Sequence, residues 1–489
     1  MKNQVHLIAY VDRLSGGGIS DFHELLKGPL LAVFGGAHLL PFFYPIDGSD
    51  AGFDPIDHTC IDPRLGTWED LRELTGTVDV MADLIVNHAS SQSRQFKDFS
   101  KNGARSEYGR MFLTMDRVFP AGATEAQLLK IYRPRPGLPF TYTTLANGEK
   151  RLLWTTFTPE QVDLDVSDGK TQEYLRGILQ RFHQAGITLI RLDAAGYAIK
   201  KAGTSCFMIP ETFTFIEDLS QQAKSLGIEV LVEIHSYYKQ QIEIARRVDL
   251  VYDFALPPLV LHALFASDFE PLLKWLKIRP PNAITVLDTH DGIGVVDVGG
   301  DTEGNPGLLT RAQINTLVET IHARSNGESK QATGAAASNL DLYQVNCTYL
   351  DALGRNEVLY LIARAIQFFV PGIPQVYYVG FLGATNDLDL LARTGVGRDI
   401  NRHYFTAEEV RSRLSSPLVR RLIELIRLRN SHPAFSGECT FESSAPHLLE
   451  ITWKSGEHIA NLMVDLSRAQ THLQFSGGGD RPPTYIQLG

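Results

Sequence analysis

GITLIRLDAAGY, residues 186–197, is the stretch from which the fold can be read. An apolar run of strand length, with Ile187, Leu189 and Ile190 suited to burial on both faces, stops abruptly at Arg191 and Asp193. The amphipathic residues 170–185 before it read as a helix, and helix followed by buried strand is the rhythm of a parallel sheet. A carboxylate at the C-terminal end of such a strand is poorly placed for packing and well placed for chemistry at a barrel mouth. Alone, the RLD triplet reads as a structural Arg–Asp pair; the rest of the chain turns that reading towards function.

Working outward, further strands are expected at 5–10, 37–43, 78–86, 228–234, 251–255, 283–287 and 375–379, beside the one at 187–192. Helices are expected near 21–26, 67–74, 211–225, 257–265, 357–369 and 418–429. Eight strands alternating with helices predict an α/β chain folded as a (β/α)8 TIM barrel. Two loop-rich inserted subdomains interrupt it: 88–165, rich in aromatics and containing the stiff YRPRPG run at 132–137, and 292–354. The barrel is then expected in three parts, 1–87, 166–291 and 355–432. Residues 433–489, with short alternating runs such as 447–453 and 458–464, read as a small C-terminal antiparallel β domain.

Composition narrows the function. The 489 residues are 44% hydrophobic and 21% charged, which is ordinary globular material. A net charge of -10 argues against nucleic acid or an anionic membrane as partner, because polyanions need a basic surface. Cys60, Cys206, Cys347 and Cys439 are scattered without a CxxC pair, so neither a zinc site nor a disulfide framework is expected. No signal-peptide pattern opens the sequence and no long apolar run follows, so a cytoplasmic location is expected.

Polar residues gather where the strands stop: His88 after the third, Arg191 and Asp193 after the fourth, Glu233 and His235 after the fifth, His290 and Asp291 after the seventh. Retaining glycosyl transfer needs one carboxylate as nucleophile and a second as acid and base, roughly 5 to 5.5 Å apart. Asp193 and Glu233 fit those roles. Arg191 beside Asp193 would keep it ionised, whereas Glu233 needs a less solvated setting that retains its proton. Phe53, His88, Tyr197 and His290 are candidates for the flat apolar faces and fixed polar groups that sugars require. A dianionic acceptor entering an acidic protein needs a local cation, which Arg135 and His235 can supply.

GFDPIDH (52–58), DLIVNH (83–88), IRLDAAGY (190–197), VEIH (232–235) and VLDTHD (286–291) resemble the successive blocks of the α-amylase-like retaining family. IYRPRPGLPFT (131–141), AGTSCFM (202–208), YDFALPPL (252–259), TGAAASNLDLYQVN (333–346) and GRDINRHY (397–404) are similar, within that family, to the sucrose phosphorylases. The resemblance implies that Asp193 is the nucleophile, Glu233 the acid/base and Asp291 the third carboxylate. It implies that Asp50, Phe53, His88, Arg191, His290 and Arg398 hold one glucosyl unit, with Asp50 and Arg398 paired to close the subsite. Tyr132, Pro134, Arg135, Tyr197, His235, Asp341, Leu342, Tyr343 and Gln344 would shape the acceptor and phosphate side. The implied partners are sucrose, inorganic phosphate, glucose 1-phosphate and fructose, with a possible homodimer. Covalent acid/base chemistry needs no cofactor and no metal, and the sequence has no calcium-loop spacing. Alternatives are a sibling phosphorylase acting on sucrose 6'-phosphate, glucosylglycerol or glucosylglycerate, a sucrose hydrolase or transglucosidase, and a catalytically dead binding barrel.

Overall fold

The computed structural model describes residues 1–489 apart from 49, 135–136, 302, 336–343, 469, 478–483 and 489, with backbone only at 335. Eight parallel strands close into a barrel: β1 His6–Ala9, β2 Gly36–Leu39, β3 Asp79–Ile85, β4 Leu189–Asp193, β5 Glu229–Val232, β6 Leu250–Asp253, β7 Ala283–Thr285 and β8 Ile373–Tyr377. Each strand pairs with its sequence neighbours, and β8 returns to β1. β1 and β2 are buried along their whole length, as the apolar runs require of strands covered by helices outside and side chains inside. In the β3–β4 register Asp83 lies beside Arg191, which sets both on the same face of the sheet.

The strand boundaries shift by a residue or two around the barrel, and β2 and β8 depart from the sequence reading for local reasons. β2 stops at Leu39, short of the expected 43, because Pro41 has no amide to donate to a ladder. Phe43–Tyr44 instead pairs antiparallel with Asp57–Ile61, forming the hairpin whose loop carries Asp50 and Phe53. β8 starts two residues early, after Gly372, where φ is +121° and a Cβ would stand 2.3 Å from the Ala283 carbonyl oxygen. The chain then turns helical over Tyr378–Phe381.

The helix Gly169–Gln184 that delivers β4 starts at Asp168, whose carboxylate accepts from the Lys170 amide, and buries Leu175, Ile178, Leu179 and Phe182. Between β3 and β4 the excursion has its own small core of Phe96, Phe99, Phe112, Leu153 and Leu164. It joins the barrel through the antiparallel pair His88–Ser90 and Gln161–Asp163. A buried cation reinforces that join: Lys200 Nζ lies 2.5 Å from Asp163 Oδ2 and donates to Asn87 Oδ1 and the Tyr197 carbonyl. After β7, the helix Arg311–Arg324 begins with a reciprocal cap between Thr310 and Gln313. The C-terminal sheet runs in sequence order through Glu438–Glu442, Leu448–Ser455, His458–Asp465, Gln470–Ser476 and Thr484–Leu488. Trp453 Nε1 docks it by donating to the Phe369 carbonyl at the end of the helix Glu357–Phe369. Among the described residues, no helix is long and apolar enough to cross a membrane.

Candidate active site

The strand ends bring three carboxylates to one guanidinium. Arg191, on β4 and 2% exposed, directs Nη1 to Asp83 on β3 and, at 3.1 Å, to Asp193 Oδ1; its Nη2 is 2.7 Å from Glu233 Oε1. Asp193 and Arg191 are two residues apart on one strand and share a face, while Glu233 follows β5 with its amide donating to the Leu192 carbonyl. Beyond the pairing of Arg191 with Asp193 that the sequence suggested, the guanidinium also reaches the second carboxyl and lies closer to Glu233. Burial pushes the Asp193 carboxyl well above its ordinary range, and the negative charges of Glu233 and Asp83 add to this against the pull of Arg191. Asp83 is the opposite case. Burial alone would raise it, but Arg191 and His38 hold it down at about 2, so it stays an anion beneath the guanidinium.

Asp291, beyond β7, is held far below the usual carboxylate range. Burial opposes its charge, but Arg398, with Nη1 at 2.9 Å, outweighs it with the help of Arg402. His290 itself is driven down to about 3, chiefly by burial, so it is a neutral imidazole. Its ring stacks on Phe53 with centroids 4.9 Å apart and planes 13° apart. The Arg191 guanidinium stands 5.5 Å over the same Phe53 ring. His88, also lowered by burial, has Nε2 2.9 Å from the Phe53 carbonyl oxygen and 3.1 Å from Gln161 Nε2. The charge of Asp50 is felt at Asp193, His88, Tyr10 and Arg402, which places it on the same pocket. The glucosyl-side residues expected from sequence, Asp50, Phe53, His88, Arg191, His290 and Arg398, are thus brought together.

On the other side, His235 is stacked on Phe254 at 3.8 Å, and its Nδ1 lies 3.0 Å from Asp297 Oδ2. Burial works against a charged ring, yet Asp297 prevails and the His235 pKa is raised, so the charged ring is favoured relative to a free histidine. Asp297 Oδ1 also accepts from the Ser236 amide and Gln241 Nε2, so the carboxylate is fixed. Gln344 Nε2 is 3.4 Å from His235 Nε2, and its Oε1 accepts from the Gly292 amide. Tyr132 and Tyr197 stand 6.2 Å apart, both packed on Phe207 at 4.5 and 4.6 Å. Pro134 is half-buried. Arg135, Asp341, Leu342 and Tyr343 lie outside the described residues.

Glu233, His235 and Asp291 place ligand-type atoms within 4.8 Å of one another. A cation fits this set poorly. His235 has Nδ1 turned to Asp297 and Nε2 facing the Gln344 amide nitrogen, and Asp291 already faces Arg398. A space ringed by carboxylates, a cation and neutral imidazoles, floored by an aromatic ring, is suited to a neutral polyol that both donates and accepts hydrogen bonds.

Sequence reasoning passed over Asp83, Asp297, Arg402 and Lys200. Asp83 had a signal, a charge inside an otherwise apolar strand run. Arg402 stands in the same block as Arg398, and only the fold shows that both reach the Asp291 loop. Asp297, 62 residues beyond its histidine, had none.

The α-amylase catalytic-domain family matches residues 34–255. A sucrose phosphorylase of Agrobacterium vitis is 60% identical over 98% of this chain and 98% of its own. One from Bifidobacterium adolescentis is 52% identical over 96% of this chain and 93% of its own. Among solved structures, the sucrose 6F-phosphate phosphorylase from Thermoanaerobacter thermosaccharolyticum superposes with a TM-score of 0.91 at 38% identity, covering 99% of this chain and 98% of that one. The barrel, the strand-end carboxylates and near-complete coverage at such identities agree: the chain belongs to the α-amylase family, in its branch of sucrose phosphorylases and their siblings.

Proposed function

We propose that the protein catalyses the reversible phosphorolysis of sucrose to α-glucose 1-phosphate and fructose through a covalent glucosyl-enzyme. The observation that carries the chemistry is the single guanidinium shared by Asp193 and Glu233. It holds the two carboxyls beside one another, placed to work on opposite sides of one glycosidic bond. Sucrose, in place of a sibling's substrate, is favoured by the greater identity to the two sucrose phosphorylases.

In the first step the Asp193 carboxylate attacks the anomeric carbon while Glu233 passes its proton to the departing fructosyl oxygen. The bond to fructose breaks, a β-glucosyl ester forms, and configuration inverts once. Filling the pocket displaces water, and Arg191 is anchored from below by Asp83, so it can stabilise the anion on Asp193 before attack and the carboxylate left on Glu233 afterwards. In the second step phosphate attacks, Glu233 takes back a proton from it, and a second inversion returns the α configuration. Asp291, kept ionised by Arg398, accepts from sugar hydroxyls whose bonds strengthen as positive charge develops on the ring. His235, whose charged form is favoured by Asp297, supplies the positive charge that an incoming phosphate dianion needs.

The test is direct: incubate the protein with sucrose, with and without phosphate, and identify the products. Glucose 1-phosphate and fructose in equal amounts are expected with phosphate. Glucose and fructose alone under both conditions would make it a hydrolase.

A further inference from the structure

Beside Asp291, whose Oδ1 is ion-paired with Arg398 Nη1 at 2.9 Å, two buried polar atoms make no hydrogen bond: Tyr10 Oη and Arg402 Nη2. Buried polar groups in folded proteins are nearly always satisfied, so two together need a partner. Arg402 is 1% exposed and rigidly placed: Nε donates to the His290 carbonyl at 2.9 Å, and Arg13 Nη1 donates to its own carbonyl at 3.1 Å. Its Nη2 is left 3.9 Å from Asp291 Oδ1. Tyr10 is equally fixed. Its ring meets His290 edge-on at 6.3 Å, and the Arg13 guanidinium covers its face at 4.4 Å. The charges of Arg402, Asp50 and Asp291 all bear on its phenol.

The two atoms are a guanidinium N–H that gives and a phenol that both gives and accepts, and the Asp291 carboxylate beside them accepts. One alcohol group meets both and can give its own proton to the carboxylate. Resting on the function proposed above, we propose that Tyr10 and Arg402 are further sugar-binding residues, which with Asp291 take one hydroxyl of the bound glucosyl unit. Arg402 also acts as a positioning residue, because its bond to the His290 carbonyl fixes the loop that carries Asp291.

The experiment compares the native protein, Tyr10→Phe and Arg402→Lys on α-glucosyl fluoride and on its 2-, 3-, 4- and 6-deoxy forms, with and without phosphate. Melting curves establish that both variants are folded. Tyr10→Phe should lower kcat/KM on the parent donor by about 2- to 13-fold, the range of one neutral hydrogen bond. That penalty should vanish on a single deoxy donor, the one lacking the hydroxyl Tyr10 meets. Arg402→Lys should cost more, roughly 10- to 150-fold as for a charged donor, and its penalty should shrink most on the same deoxy donor. A Tyr10→Phe penalty equal on all five donors, or absent on the parent, would overturn the inference. Consumption of glucosyl fluoride by the native protein with no dependence on phosphate would overturn the phosphorylase reading instead. The five-donor comparison would still decide the roles of Tyr10 and Arg402.

Discussion

Replacing Asp297 by Asn isolates what makes phosphate, in preference to water, the second acceptor. In the native protein Asp297 Oδ2 faces His235 Nδ1 at 3.0 Å while Oδ1 takes bonds from the Ser236 amide and Gln241. An asparagine that keeps those two bonds must turn its amide NH2 toward His235, and a ring that accepts there is neutral. With the carboxylate gone, burial is opposed only by the charges of Glu233 and Asp291, and the histidine moves down from its native value. The sign follows. In the native protein the raised pKa extends the charged ring to higher pH, and the charge is lost as pH rises through that value; in the variant the loss comes at lower pH. A charge-assisted contact is worth about 1.5 to 3 kcal/mol, so the phosphate concentration for half-maximal rate should rise roughly 10- to 150-fold. Water gains nothing from the cation, so more glucose should form per glucose 1-phosphate. Fructose release from sucrose should change far less. The assay is the ratio of the two products against phosphate concentration at several pH values. A ratio identical in both proteins at every pH would refute the reasoning and shift phosphate selection to residues other than His235.

Two further outcomes test the frame around that site. Glu233→Gln should lose sucrose cleavage yet still consume α-glucosyl fluoride, whose leaving group needs no proton; equal loss on both donors would remove Glu233 from the acid role. Lys200→Met strands Asp163 as a buried anion between barrel and insertion, at a cost of about 3 to 5 kcal/mol in urea unfolding, and adding Asp163→Asn should recover part of it. A Lys200→Met protein as stable as the native one would show that the ion pair does not bind these two parts.

The barrel was legible in the sequence because its information is local and repeated. A buried parallel strand must be apolar almost throughout, so β4 and β5 announce themselves, and the polar residue that ends each run marks the mouth. Asp193, Glu233 and Asp291 could be named on that ground, since strand ends of one barrel point the same way. Their electrostatics could not. Nothing in the spacing of Arg191 says that its guanidinium reaches Glu233 as well as Asp193, because that depends on the stagger of β3, β4 and β5 around the barrel. The hairpin after β2, the tie from Lys200 to Asp163, the carboxylate behind His235 and the meeting of Tyr10 with Arg402 join residues tens to hundreds apart. Such pairings leave no periodic trace in a single sequence. They arise when loops with little regular structure fold over a closed barrel, and burial then decides which of their charges survive.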